Sequence, residues 1–358
     1  MLKDFHKQFP VLSRYTYANT AASGILYEDL MEWRQEHDLD FLIKGSVFRD
    51  TRHEFIQEVR ITVGNFFNCP VAQVALIPNF SFGFNTLLEG LGKNKKVLLL
   101  ENDYPSVNEG VEMRDFERCY VKIDENLESN IEEAIRDEKP DVLALSVVQY
   151  ISGIKIDLQF LKRLKASYPS LLIIADGTQF CGTENFNFQD SGIDVLCASA
   201  YKWLLAGYGN GFMLFKKEVI SKIYPKAFDR LQADVLSKEQ QHLMNYFEPG
   251  HQDTLNYGSL KFSLDFLEEI GINTIEKQIK TLSEKAKQAF TDLNLLEDRV
   301  VKRKIHSNIF NIKGDEGLFK KLTANNILSA QRGKGIRLSF HFYNTEEDLK
   351  TIIQCLKT

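Results

Sequence analysis

The chain has 358 residues, 44% of them hydrophobic, and a formal net charge of -5, so it can bury a substantial core, has length for more than one domain, and is not intrinsically disordered. Acids and bases are mixed throughout, which leaves no broad cationic face for nucleic acid or an anionic membrane; a small-molecule partner is expected. The opening MLKDFHKQFPVLSRY lacks the apolar run of a signal peptide, no later stretch reaches membrane-spanning length, and five scattered cysteines (Cys69, Cys119, Cys181, Cys197, Cys355) form no close pair, so reduced thiols and a cytoplasmic location are expected.

Residues Asp50 to Asn68 place Phe55, Val59, Val63 and Phe66 three or four apart, which predicts an amphipathic helix. Short apolar runs follow at Val74 to Ile77, Val97 to Leu100, Val142 to Val148, Leu171 to Ala175 and Val195 to Ala198, and read as buried strands. Helical stretches such as Ile131 to Asp137 and Leu158 to Ser167 lie between them, so the alternation predicts an α/β core with a largely parallel sheet. The Pro- and Gly-bearing segment Tyr246 to Gly258 interrupts that rhythm and marks a domain boundary. Beyond it come helical Leu260 to Ile270, a long helix near Thr274 to Leu295, strand-like Asn308 to Ile312, helix Gly317 to Asn325, strand Ile336 to Phe340 and a last helix from Thr345, making a smaller α+β unit.

Ligands of parallel sheets bind beyond the carboxyl ends of strands, so polar residues there are the candidates for chemistry. In LLIIADGTQFCGT a strand ends on Asp176, followed by Gln179; an aspartate there also commonly caps a helix or forms a turn. In DVLCASAYKWLLAGYGNGF a buried strand is followed by Ser199, Tyr201 and Lys202, and a lysine after such a strand either reaches solvent or is chemically engaged. In VALIPNFSFGFNTLLEGL a strand and short turn precede a helix starting near Ser81, whose free N–H groups and hydroxyl can cradle a phosphate; the alternative is a serine that simply caps the helix. NFSFG lacks the first glycine of a hydrolase nucleophile elbow, GYGNGF lacks the last glycine of a dinucleotide fingerprint, and neither His-Glu-x-x-His nor Cys-x-x-Cys occurs.

Taken together in order and spacing, Asp-x-x-Gln after one strand, the lysine after the next and the C-terminal RLSFHFYNTEED resemble the class V aminotransferase family of fold type I pyridoxal 5'-phosphate (PLP) enzymes, which includes cysteine desulfurases, kynureninases and isopenicillin N epimerase-like proteins. The resemblance implies a large domain with a seven-stranded, mainly parallel sheet and a smaller α+β C-terminal domain, divided as a pocket-lining segment 1–20, a PLP-binding domain 21–250 and a small domain 251–358. It implies that Lys202 holds PLP as a Schiff base and shuttles the proton, and that Asp176 keeps the pyridine nitrogen protonated. Gln179 would bond the phenolic oxygen, Tyr104 of ENDYPSV would stack on the ring, and Ser81, Ser199 and Tyr201 would share the phosphate with the amides of Phe80 and Ser81. Arg337 would grip the substrate carboxylate, with Arg332 a second candidate, and Asn19, Thr20 and Ala21 would line the substrate pocket. FEPGHQDT resembles the turn that reaches the partner's phosphate in family dimers, with His251 where threonine is usual, so a homodimer is expected.

No cysteine lies between Cys197 and Cys355, where desulfurases carry their attacking thiolate before the arginine strand. The expected activity is therefore aminotransferase-like, on a small amino acid or amine. A PLP-dependent epimerase or lyase (isopenicillin N epimerase-like, selenocysteine lyase-like or kynureninase-like) is the alternative, and a catalytically silent PLP-fold binding protein the alternative of another class.

Overall fold

The structure is a computed structural model and describes residues 5–232 and 235–357. Its centre is a seven-stranded sheet built from β1 (Val74–Ile77), β2 (Lys96–Leu100), β3 (Glu117–Val121), β4 (Val142–Ser146), β5 (Leu172–Asp176), β6 (Val195–Ser199) and β7 (Gly211–Phe215), in the spatial order β1-β7-β6-β5-β4-β2-β3. All neighbours run parallel except β7, which is antiparallel to both β1 and β6. Every residue of β1, β4, β6 and β7 is buried, as expected of strands covered by helices on both faces.

Two of these strands escaped the sequence reading for opposite reasons. β3, ERCYV, is the sheet's edge and exposes most of its residues, so it carries charges that discourage further pairing and lacks an apolar run. β7, GFMLF, begins inside the segment expected to be a glycine-rich turn. Gly211 belongs to the strand because a side chain there would press on the Ala198 carbonyl of β6, with only 2.4 Å available.

The first long helix, α1 (Glu28–Lys44), buries only Leu30, so no apolar stripe announced it. α2 (Arg52–Phe66) packs on α8 (Thr254–Ile270). The interruption expected at Tyr246 to Gly258 is shorter in the fold: α8 starts at Thr254, with the Asp253 carboxylate accepting the Asn256 amide as its cap. Gly258 sits inside α8 because Trp33 of α1 lies 2.3 Å from where its Cβ would stand.

A second, three-stranded sheet contains β8 (Ile309–Lys313), β9 (Ala330–Arg332) and central β10 (Gly335–Ser339). It is accompanied by the helices α9 (Ile272–Asp292), α10 (Glu316–Ala324) and α11 (Glu346–Lys357). The N-terminal stretch joins this part of the chain: Thr16 and Tyr17 pair with Ile327 and Leu328, and Asn19 bridges to Ser339. Residues at the two ends of the sequence are thereby held beside the carboxyl ends of the large sheet.

Candidate active site

The strand order reverses between β4 and β2, since β3 lies outside β2 while β4 begins the march in the other direction. That reversal opens a crevice at the carboxyl ends of the strands, and a pocket of about 120 Å³ occupies it, lined in part by Phe80, Ser81, Tyr104, Asp176, Gln179, Ser199, Tyr201 and Lys202. Eight side chains picked out in separate stretches of sequence thus meet at one place.

Asp176 ends β5 and is buried. Its Oδ1 accepts the Thr178 amide at 2.8 Å, which is the local turn that an aspartate after a strand favours. Burial raises its pKa to about 6, against the lowering by Thr178 and the Lys202 charge. Lys202 follows β6 and is only 6% exposed. Among the described residues its ammonium makes no hydrogen bond or salt bridge; it lies 5.7 Å from the ring centre of Tyr104 and 5.4 Å from that of Tyr201. Burial pulls its pKa down, Asp176 opposes this, and Arg337 adds to it.

The turn that carries Lys202 is tightly specified. Leu205 adopts a left-handed conformation at φ 59°, which costs an ordinary residue about 1–2 kcal/mol. The Gly24 amide donates to the Tyr201 carbonyl at 2.8 Å, and a Cβ on Gly24 would stand 2.1 Å from the Lys202 carbonyl. On the other side, His341 Nδ1 accepts the Phe342 amide, so its Nε2 carries the proton and donates to the Trp203 carbonyl at 2.9 Å. Trp203 Nε1 in turn donates to Gln179 Oε1, and Gln179 Nε2 donates to the Ala21 carbonyl, both at 2.9 Å. One amide hydrogen of Gln179 is left over for a ligand.

The helix α3 (Phe80–Gly90) points its N-terminus at the same pocket. Its cap is Asn79, whose side chain accepts the Phe82 amide at 2.9 Å, so Ser81 does not fill the capping role that was its plain alternative. The Ser81 hydroxyl donates to Ser106, the Phe80 amide donates to Ser199 Oγ, and the Ser81 amide finds no acceptor among the described residues. A free helix N-terminal amide beside three serine hydroxyls is a ready anion site. These features, with the unpaired lysine, fit the two ends of a phosphate-bearing aldehyde cofactor.

Arg337 reaches from the centre of the small sheet and is 2% exposed. Its Nη1 donates to the Tyr150 carbonyl at 2.7 Å, its Nε is buried without a partner, and among the described residues no carboxylate pairs with it. The Nε–Nη2 edge therefore remains as a two-pronged donor. Burial and the Arg332 charge lower its pKa, while Arg332 itself is exposed on β9.

Arg337, Asn19 and His251 all stand outside the lining of the pocket at Lys202. Asn19 lies beside β10 with a buried, unpartnered Oδ1, and neighbouring Thr20 bonds to the Tyr343 hydroxyl. His251 is exposed in the loop before α8, and the chain by itself does not bring it to Lys202.

Sequence reasoning missed Asn79, Ser146, Val148, Tyr150 and Thr178, which complete the lining. Tyr150 packs edge-on against Tyr104, with ring centres 5.3 Å apart, and Ser146 presents a buried, unpartnered Oγ. The signal was present: SVVQYISG follows an apolar strand just as the other candidates do. Beneath, Asp103 accepts the amides of Tyr104 and Ser146 and so fixes β2 and β4 at their carboxyl ends.

The comparisons with known proteins agree with this geometry. An uncharacterized aminotransferase of Bacillus subtilis (strain 168) is 24% identical over 98% of this chain and 96% of its own. The fold is that of a cysteine desulfurase from Thermococcus onnurineus NA1 (TM-score 0.83, 17% identity, 99% and 97% of the two chains) and of the cystine C–S lyase C-DES (TM-score 0.85, 17% identity, 98% and 99%). The model of the class-V aminotransferases matches residues 44–352. The chain belongs to the class-V aminotransferase family and is a PLP-dependent enzyme with the fold type I architecture.

Proposed function

We propose that Lys202 is the residue that bonds the cofactor and that the enzyme acts at the α carbon of a small amino acid or amine, in an aminotransferase-like reaction. The observation that carries this reading is the buried Lys202 amine, unpaired among the described residues, 5.7 Å and 5.4 Å from the ring centres of Tyr104 and Tyr201 and within electrostatic reach of Asp176 and Arg337. PLP, when bound, supplies a sink for the electron pair left by a bond broken at the α carbon.

The chain's own residues divide the remaining work. Asp176, buried and ionisable, is suited to hold a proton on the pyridine nitrogen, and Gln179 has one N–H to spare for the phenolic oxygen. Ser81, Ser199, Tyr201 and the amides of Phe80 and Ser81 would take the phosphate, while Tyr104 would lie against the ring. Arg337 would receive the substrate carboxylate on its open edge, with Asn19 beside it. The lowered basicity of Lys202 suits an amine that must both give and take a proton near neutral pH.

Epimerisation or elimination is the second reading, because both need the same lysine and arginine. Thiolate attack on sulfur has little support: Cys181 and Cys197 are buried, with thiols pushed well above their ordinary range by burial and by the Asp176 charge. We further propose the division 1–20, 21–250 and 251–358, and a homodimer in which His251 reaches the partner's cofactor. The exposed Leu39, Phe41, Leu42 and Ile43 on α1 support a covered surface there. Five free thiols suit the cytoplasm, and among the described residues no helix is long and apolar enough to cross a membrane.

The test is direct. Protein loaded with PLP should show the visible absorption of a lysine-bound cofactor, and Lys202→Ala should lose it. A wild type left colourless by excess PLP sinks the proposal, and incubation with paired amino acids and 2-oxo acids then separates amino transfer from elimination.

A further inference from the structure

Behind the site lies a larger cleft, of about 420 Å³, that the proposed reaction does not use. It is walled by one face of α9 and by residues 304–308, and Val148 lines both this cleft and the pocket at Lys202. Ile279, Ser283 and Lys287 recur every four residues along α9, so they present one face to it.

Its chemistry is unbalanced. Four lysines (Lys155, Lys280, Lys287, Lys304) face three glutamates (Glu184, Glu276, Glu284). Lys155 and Glu184 pair with each other, and Glu276 accepts the Asn185 amide. Among the described residues Lys287 has only the Arg303 carbonyl, while the Glu128 carboxylate is taken by the Arg303 guanidinium. Lys304 and Lys280 form no hydrogen bond or salt bridge among the described residues, and neither does Glu284, so the cleft holds one more lysine than glutamate. Ser283, only 9% exposed, presents an Oγ with no hydrogen-bond partner among the described residues. A buried hydroxyl left unsatisfied costs about 1–3 kcal/mol, and here it stands one turn from an ammonium that lacks a counter-charge. Apolar side chains complete the lining: Phe310 stacks on His306 with ring centres 5.0 Å apart, and Ile279 and Ile305 also face the cleft.

We propose that this cleft is a second binding site, for a small monocarboxylate with a short apolar body. Its carboxylate sits on Lys287, Ser283 and Lys304, and its chain lies along Ile279, Ile305 and Phe310. The volume falls in the range of small-molecule sites, which combine an apolar wall with a few convergent polar groups. The site stands independently of the cofactor reading, since none of its polar groups touches the pocket at Lys202.

Because Arg337 also attracts carboxylates, the test is made on PLP-loaded protein carrying Arg337→Met. Titration calorimetry with 4-methylpentanoate, which has no amine to react, should still register binding. Adding Lys287→Met or Lys304→Met should weaken it at least about ten-fold, and Ser283→Leu, which fills the cleft, should abolish it. The uncharged amide, 4-methylpentanamide, should not compete. If Ser283→Leu fails to fold, the exposed Lys304→Met variant decides. Loss of all binding in the Arg337→Met protein, or binding indifferent to both lysine changes, overturns the proposal.

Discussion

Arg337 offers a quantitative test of the site, because its donors are already partly committed. Nη1 is spent on the Tyr150 carbonyl, leaving Nε and Nη2 as parallel donors in a buried setting. A charge-assisted hydrogen bond contributes about 1.5–3 kcal/mol. Arg337→Lys keeps the charge and loses the fork, so an α-carboxylate ligand should bind roughly 10- to 150-fold more weakly. Arg337→Met removes the charge as well, and truncating one member of a buried charge pair costs about 2–5 kcal/mol, or roughly 30- to 4,000-fold. The assay is the shift of the cofactor's visible band on titration with L-alanine and, in parallel, with ethylamine. Arg337→Met also raises the basicity of Lys202, since the Arg337 charge holds it down, but that change affects both ligands alike and cancels in their ratio. An alanine-to-ethylamine ratio that Arg337→Met leaves unchanged would refute the carboxylate clamp.

Two further outcomes follow from the buried charges. Asp176 supports the protonated form of Lys202, so Asp176→Asn should move the pH profile for amine-reagent modification of Lys202, in protein stripped of cofactor, toward lower pH; a profile that stays or moves upward contradicts the pairing. His341 is buried neutral with its pKa lowered to about 3 by desolvation. Between about 6.5 and 3 the unfolded chain therefore binds the proton that the folded one refuses, so stability falls as pH falls through that window, by at most about 1.4 kcal/mol per pH unit. His341→Gln retains a donor for the Trp203 carbonyl and should flatten that slope in denaturant melts; coincident slopes would mean that the ring is not held neutral.

Much of the large sheet was legible because its strands are covered on both faces and so appear as uninterrupted apolar runs; Val74–Ile77 and Val195–Ser199 are examples. Asp176, Ser199 and Lys202 were legible by the same logic, as polar residues placed where such runs stop. What periodicity could not reveal were elements governed by their neighbours: the charged edge strand Glu117–Val121, the glycine-started strand Gly211–Phe215, and Glu28–Lys44 with its single buried residue.

The sequence by itself determined the α/β class and the order of the chemical residues, since both follow from local pattern along the chain. Only the tertiary structure decided their company. The Phe80 amide meets Ser199 Oγ, 119 residues away, and so ties the start of α3 to the end of β6. Arg337 is committed on one edge and open on the other because the Tyr150 carbonyl, 187 residues away, meets its Nη1. His341 is held neutral because burial removes the water that would stabilise its charge. Which groups are left unsatisfied depends on contacts between distant segments, and those unsatisfied groups mark both the site at Lys202 and the cleft behind it.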